Sequence, residues 1–238
     1  MSTAVVLGMG GLGCPAALAL AEQMPLALAE QTQRVRLVLV DPDRVERSNL
    51  SRQILFTDKD VGEPKAEVAA RRLARLVPGV RAEPRVLRFG PETAASVLAG
   101  CDVLLDGTDS FETRFFANDA ACAARIPLIH GAVLGWVGQL LTVLPGHGSC
   151  LRCLFEGPPP PGALPTCAEA GVASPLCGVV GTAMASEALR VLRRERPLTL
   201  ARLHLWDGLR GTERDVPVPR DPRCPACALA PEARLRHP

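Results

Sequence analysis

Apolar residues in the first half of the chain fall into short runs, separated by longer segments with helical spacing. The runs predict five strands, at residues 3–7, 35–40, 80–86, 101–106 and 127–130, of which the first is expected to be buried. The segments between them predict helices at residues 16–21, 63–76, 91–98 and 111–124. Because strands and helices alternate, we expect an α/β fold with a Rossmann-like, doubly wound, mostly parallel sheet and ligands at the carboxyl ends of its strands.

The pattern changes in the second half of the chain. A strand-like run at 137–144 follows the fifth strand without an intervening helix, and four consecutive prolines within 156–162 predict a loop. A helix is expected at 179–193 and a strand at 200–206. We therefore expect antiparallel strands to continue the sheet, with a small loop-rich tail after residue 220.

A glycine-rich turn directly follows the first strand. Gly8, Gly10, Gly11 and Gly13 separate that strand from an alanine-rich helix. Without side chains at these positions, backbone N–H groups and the helix N-terminus can approach a phosphate closely. The turn therefore predicts a nucleotide-binding site, although this spacing alone does not identify the nucleotide.

Asp41 ends the second strand, where an acidic residue commonly hydrogen-bonds ribose hydroxyls. Its separation from the glycine turn exceeds the usual ~20 residues, because residues 23–33 extend the first helix or the following loop. We assign no role to that extension. We predict a ribose contact for Asp41; the alternative is a turn aspartate before Pro42.

Basic residues follow within the next segment of the chain. Ser48 and Asn49 precede Arg52, and Lys65 is one of only two lysines in the protein. A dinucleotide fold needs no basic pair here, whereas a triphosphate does, because arginine offers a fork and lysine a point charge to phosphate oxygens. The alternative is a solvated helix face.

Acidic and hydroxyl side chains follow the fourth strand at Asp106, Asp109 and Ser110. A carboxylate at that edge of the sheet could hold Mg²⁺ against phosphates. Alternatively, Asp109 or Ser110 caps the helix that begins near Phe111. Both roles can hold at once for different residues.

Cysteines form two pairs of equal spacing. Cys150 and Cys153, and Cys224 and Cys227, match a closed four-thiolate zinc site, a zinc knuckle that would tie the tail to the body. Disulfides or incidental cysteines are the alternatives. Cys167, in a loop outside both pairs, is a candidate nucleophile or an ordinary loop residue. The remaining four are expected to be small buried hydrophobes: Cys14, Cys101, Cys122 and Cys177.

Composition narrows the classes of function. The chain has 238 residues, 47% of them hydrophobic, and a net charge of +2, which favours a globular protein and gives no indication of nucleic acid or membrane binding. No apolar stretch long enough to span a membrane and no leader pattern is expected. Nine cysteines without secretion favour metal or thiol chemistry. We therefore expect a cytoplasmic protein.

Taken together and in this order, these motifs resemble the ThiF/MoeB/HesA family, bacterial relatives of ubiquitin-activating enzymes. The resemblance runs from about residue 5 to residue 227 and includes the helix-like segment 178–189. It implies a single adenylation domain over 1–238, with a nucleotide-binding half (1–135), a carrier-binding half with a crossover loop (136–220) and a zinc-binding tail (221–238).

The resemblance also implies a reaction. Members of this family bind Mg²⁺ and ATP, and adenylate the C-terminal glycine carboxylate of a small ubiquitin-like sulfur carrier, releasing pyrophosphate. It implies catalytic roles for Arg52, Lys65 and Asp109. Cys167 matches a crossover-loop cysteine that acts as a covalent relay in some members of the family and is not needed in others. The glycine turn, Asp41, Ser48, Asn49 and Ser110 would contact the nucleotide. A homodimer, a carrier ending in Gly-Gly and a separate sulfur donor are implied as partners.

Two alternatives remain. Family members usually carry an arginine-containing helix before the first strand, whereas this sequence begins at that strand. The start of the sequence could be mis-assigned, another arginine could substitute, or the protein could be a catalytically impaired carrier-binding homologue. The glycine turn and Asp41 alone would fit a nicotinamide-dependent oxidoreductase, but that function leaves Arg52, Lys65 and the paired cysteines unexplained.

Overall fold

A computed structural model describes residues 2–27, 35–160, 162–163 and 167–228. Within these residues the chain forms eight strands: β1 (Ser2–Leu7), β2 (Val35–Val40), β3 (Arg81–Arg85), β4 (Val103–Asp106), β5 (Leu128–Leu134), β6 (Val137–Val143), β7 (Arg202–Asp207) and β8 (Thr212–Pro217). It also forms seven α-helices: α1 (Gly13–Ala27), α2 (Lys65–Leu76), α3 (Ala94–Leu98), α4 (Phe111–Ala124), α5 (Leu151–Leu154), α6 (Cys167–Ala170) and α7 (Ser174–Leu192).

All eight strands belong to one sheet, in the order β3-β2-β1-β4-β5-β6-β7-β8. The pairs from β3 to β5 are parallel, and those from β5 to β8 are antiparallel. This confirms the predicted mostly parallel, doubly wound sheet with an antiparallel continuation. The chain order reverses between β1 and β4, which in such sheets opens a crevice at the carboxyl ends of the strands.

Helices cover both faces of the sheet, and each face has its own apolar core. Ala4 and Val6 of β1 pack into the core beneath α1, α2 and α7. Val5 and Leu7 point to the other core, with α3, α4 and the cysteine pairs. A strand that is buried on both sides explains why β1 has a continuous apolar run rather than an alternating one.

Several elements differ from their predicted bounds. Helix α1 continues to Ala27, and the rest of the extension up to residue 33 lies outside the described residues. Helix α7 begins at Ser174, with Pro175 in its first turn, where its missing N–H is tolerated. Strand β8 was not predicted, because half of its sequence TERDVP is charged and it lies exposed at the sheet edge.

Among the described residues, α7 is the one helix long and apolar enough to cross a membrane by length and composition. Half of its most apolar window is buried inside the protein. Its residues pack against α1 and against β5 and β6. A core position therefore accounts for its apolar composition.

Candidate nucleotide site and cysteine cluster

A cavity of about 380 Å³ lies at the carboxyl ends of β1, β2 and β4. It is placed where the strand order reverses, as the fold predicts. Nine of the residues predicted to form the site line this cavity: Gly8, Gly10, Gly11, Asp41, Asn49, Arg52, Lys65, Asp109 and Ser110. Segments far apart in sequence thus meet around one opening. Gly13 and Ser48 are not among the lining residues.

The glycine turn is shaped by two close backbone approaches. Gly8 has φ +82°, a left-handed conformation that favours glycine, and its N–H donates to Val40 O at 2.8 Å. A Cβ on Gly13 would lie 1.7 Å from Gly8 O, so no larger residue fits without a backbone shift. Gly13 therefore holds the turn in shape, while Gly10 and Gly11 face the cavity.

Asp41 connects β2 to the glycine turn. Its Oδ2 accepts from the backbone N–H of Met9 at 2.6 Å, and its Oδ1 accepts from that of Asp43 at 2.7 Å. Only 4% of Asp41 is exposed, and this burial raises the pKa of its carboxyl group. Each carboxylate oxygen has two lone pairs, so Asp41 can hold the turn and still accept from a hydroxyl in the cavity.

Two basic side chains line the same cavity. Lys65 is the first residue of α2, its side chain is 8% exposed, and its Nζ lies 3.2 Å from Asp43 Oδ2. Arg52 Nη1 donates to Ser48 O at 3.2 Å. A buried ammonium with a mainly exposed carboxylate partner is well suited to exchange that partner for a bound anion.

In the segment at the end of β4, some polar side chains form hydrogen bonds within the protein and others are available at the cavity. Asp106 is fully buried; its Oδ2 lies 2.9 Å from His130 Nδ1, and its Oδ1 accepts from Thr108 Oγ1 at 2.7 Å. Burial alone would raise the pKa of Asp106, but the hydrogen bond from His130 and nearby positive charge lower it overall. Ser110 Oγ caps α4 by accepting from Thr113 N at 3.4 Å. Asp109 is exposed and has no hydrogen bond to any residue that the structure describes.

Further polar residues line the cavity without a role predicted for them, among them Glu46, Gln53 and Arg114. Arg114 is buried in the first turn of α4, and its Nε donates to Thr108 O at 2.9 Å. Gln53 follows Arg52 directly and is also buried. The one feature of the sequence that could have indicated Arg114 is its position in the first turn of α4, directly after Ser110, because the N-terminal end of this helix faces the cavity.

The two cysteine pairs meet further along α4, where Asn118 Nδ2 donates to Cys150 Sγ at 3.7 Å. The Sγ atoms of Cys150, Cys153, Cys224 and Cys227 all lie within 4.8 Å of one another, and none of the four is in a disulfide. Cys150 Sγ is 3.6 Å from Cys224 Sγ, and Cys153 Sγ is 3.4 Å from Cys227 Sγ. Tetrahedral zinc with Zn–S bonds of ~2.3 Å places its sulfurs roughly 3.8 Å apart. The donor set and spacing therefore fit a zinc ion.

The other cysteines differ in their surroundings. Burial raises the pKa of the Cys14 and Cys101 thiols to about 12 in each case, and Cys122 is also buried. Cys177 is buried as predicted, but it also lines the cavity, which the sequence did not predict. Cys167 begins α6, and its side chain lies outside the described residues.

Fold and site together define a Rossmann-like α/β protein with a glycine-turn cavity and a separate four-cysteine cluster. The chain belongs to the ThiF family, whose family model matches residues 1–226. This confirms the resemblance drawn from the ordered motifs.

Named relatives cover nearly the whole chain. It is 44% identical to a sulfur carrier protein adenylyltransferase of Thermus thermophilus, over 98% of this chain and 84% of that one. It is 43% identical to the SAMP-activating enzyme E1 of Haloferax volcanii, over 95% of this chain and 80% of that one. The fold is similar to that of E. coli MccB with ATP, at a TM-score of 0.79 and 21% identity, over 95% of this chain and 66% of that one.

Proposed function

We propose that this protein uses ATP to adenylate the C-terminal glycine carboxylate of a ubiquitin-like sulfur carrier, as a step toward a thiocarboxylate. The observation that carries the proposal is the cavity itself, where Arg52 and Lys65 flank the glycine turn and Asp41. The names of the two relatives, each more than 40% identical over nearly the whole chain, support the same reaction class.

The chemistry requires positive charge more than a base. A carboxylate oxygen attacks the α-phosphorus of ATP, the bond to the pyrophosphate oxygen breaks, and both reactants carry negative charge. Arg52 and Lys65 would hold the phosphates and offset that charge, and the glycine turn would fix the position of the α-phosphate. The attacking carboxylate is already ionised at neutral pH. No general base is needed, which agrees with a His130 that is committed to Asp106 in the interior.

Asp109 is the residue best suited to hold Mg²⁺ with the nucleotide. Its exposed carboxylate faces the cavity and is not engaged by any described residue, whereas Asp106 is fully committed to His130 and Thr108. Carboxylate oxygen is a preferred ligand of Mg²⁺. When bound, the ion would neutralise charge on the phosphates.

The four-cysteine cluster would hold a structural Zn²⁺. Four protein thiolates leave no open coordination position, so the ion would take no part in the reaction. It would join α5 and the residue that precedes it to the C-terminal tail, which forms no helix or strand within the described residues.

The remaining parts of the proposal concern partners. We expect a homodimer, a separate sulfur donor, and a relay role for Cys167, whose thiolate would displace AMP from the carrier's acyl-adenylate and form a thioester. A Cys167→Ser variant should then lose a thiol-labile enzyme–carrier adduct and keep pyrophosphate exchange. An unchanged adduct would exclude the relay role.

Carrier-dependent ATP–pyrophosphate exchange tests the proposed reaction. The assay uses the purified protein with Mg²⁺, ATP, labelled pyrophosphate and a ubiquitin-like carrier ending in Gly-Gly from the same organism. We expect exchange with the intact carrier and none with the carrier shortened by its last glycine. Carrier binding without exchange would indicate a non-catalytic homologue, and tight NADH binding without ATP binding would indicate an oxidoreductase.

A further inference from the structure

Gln53 carries a buried oxygen that has no partner. The residue is 3% exposed and lines the nucleotide cavity, and its Oε1 accepts no hydrogen bond from any residue that the structure describes. Leaving such an acceptor buried and unsatisfied is costly, and exceptions of this kind require an explanation. A ligand that brings a donor into the cavity would provide one.

A chain of hydrogen bonds fixes which end of the Gln53 amide remains unpaired. Ser48 Oγ donates to Glu46 Oε2 at 3.3 Å, Asn49 Nδ2 donates to Ser48 Oγ at 2.9 Å, and Gln53 Nε2 donates to Asn49 Oδ1 at 2.9 Å. The ionised Glu46 carboxylate can only accept, so the single hydroxyl proton of Ser48 is directed toward it. Asn49 must then present nitrogen to Ser48 and oxygen to Gln53. Because Glu46 fixes which atom donates in each of these hydrogen bonds, the Gln53 side chain uses its nitrogen as the donor and its oxygen stays unpaired.

The position of Gln53 limits which donor this can be. A Cβ built on Gly10 would lie 4.0 Å from Gln53 Nε2, so the amide sits beside the turn that is suited to phosphate. Phosphate oxygens in the ionised state are acceptors and cannot satisfy Oε1. Ribose hydroxyls have Asp41, at the end of β2, as a suitable acceptor.

The reaction itself brings a donor to this place. The attacking carboxylate belongs to a glycine whose backbone N–H is separated from the carboxyl carbon only by Cα. During attack on the α-phosphate, that N–H must lie next to the glycine turn. We propose that Gln53 Oε1 accepts a hydrogen bond from the backbone N–H of the carrier's last glycine and so selects a peptide-linked glycine for activation; this inference rests on the proposed function.

Replacing one N–H group of the carrier tests this hydrogen bond directly. The same carrier is prepared by protein ligation in two forms, ending in glycine or in glycolate, so that an ester oxygen replaces the last N–H. ATP–pyrophosphate exchange is measured with both forms for the wild type, for Gln53→Met, and for Gln23→Met. Gln53→Met keeps the length of the side chain without its polar group. Gln23 lies on α1 and does not line the cavity, so Gln23→Met is the matched control.

For the wild type and Gln23→Met we expect the carrier KM to rise about tenfold when glycolate replaces glycine, the effect of one lost hydrogen bond to a buried acceptor. For Gln53→Met the two carriers should give the same KM, with the KM for ATP unchanged. A preference for glycine that persists in Gln53→Met, or a change confined to the KM for ATP, overturns the assignment.

The wild-type comparison stands without any variant, since equal KM values for the two carriers overturn the inference even if Gln53→Met does not fold. Exchange without discrimination rejects the Gln53 contact and leaves the proposed function intact. No exchange with either carrier rejects the proposed function and this inference together.

Discussion

At the scale of single residues, similar side chains around the cavity have different roles. Asp41 and Asp106 use their carboxylates to hold backbone and side-chain donors in place. Asp109 has no such partner among the described residues, and Lys65 faces a carboxylate that is mostly exposed. The hydrogen bonds of Asp41 and Asp106 within the protein therefore give these residues a structural role, whereas Asp109 and Lys65 remain available to a ligand.

Asp106→Asn should destabilise the protein by about 3 kcal/mol at neutral pH, because it leaves His130 and Thr108 with an impaired buried partner. The folded-state pKa of Asp106 lies below its ordinary value of 3.8. Its contribution is therefore complete above that value and is lost as the pH falls through the lower, folded-state pKa.

Urea unfolding of wild type and variant at several pH values measures this difference. The gap in unfolding free energy should shrink only at acid pH. Asp58→Asn, at a mainly exposed position, should change stability little at any pH. A gap that is the same at pH 3 and pH 7 would contradict the account of Asp106.

Gly13→Ala should distort the glycine turn, since its Cβ would be placed 1.7 Å from Gly8 O. We expect a loss of at least about 2 kcal/mol in stability together with weakened ATP binding. Gly178→Ala is the matched control, because it lies within α7 and a Cβ there meets no atom within 4 Å. That variant should gain roughly 0.5–1 kcal/mol. Thermal unfolding and ATP titration distinguish the two, and equal effects would refute the packing argument.

At the scale of secondary-structure elements, α4 is held at its N-terminal turn and again near its middle. Its N-terminal turn is capped by Ser110 and places Arg114 at the cavity. Further along, Asn118 Oδ1 accepts from Leu151 N at 2.9 Å, and Arg152 Nε donates to Asp119 Oδ1 at 2.7 Å. The segment that carries Cys150 and Cys153 is therefore fixed to α4 before any metal is considered.

The C-terminal pair, in contrast, has little secondary structure to hold it. Cys224→Ser should reduce zinc from about one equivalent per chain to a small fraction, lower the melting temperature and expose the tail to proteolysis. Metal analysis and limited proteolysis measure these effects. Cys101→Ser, outside the cluster, should retain zinc. Full zinc content in Cys224→Ser would rule out the proposed ligand set.

At the scale of the whole molecule, most of the fold could be predicted because its central strands are short, apolar and separated by amphipathic helices. The bounds of β2 and α4 match the prediction residue for residue. The edge strand β8 could not be predicted, because exposed and charged residues carry no apolar pattern. Pairing with β7, rather than its own composition, makes this segment a strand.

The candidate site was predictable where a polar residue follows a strand end, as at Asp41 and Asp109, or where a residue type is rare, as at Lys65. Arg114 was not predicted, because its place at the cavity depends on how separate segments meet. Sequence reasoning also left open whether Asp109 or Ser110 caps α4. The hydrogen bond from Thr113 N to Ser110 Oγ decides that question.

The central claim is that the protein binds ATP in the cavity at the glycine turn and uses it to adenylate the carrier. Replacing each of the two lysines in turn tests this claim most directly. Lys65 is buried at the cavity, whereas Lys59 is exposed on a short turn outside it. The measurement is carrier-dependent ATP–pyrophosphate exchange by Lys65→Ala and Lys59→Ala. Removing one phosphate-binding charge should lower the exchange rate of Lys65→Ala by about 10²-fold or more, while Lys59→Ala should match the wild type. Equal exchange by the two variants would contradict the account.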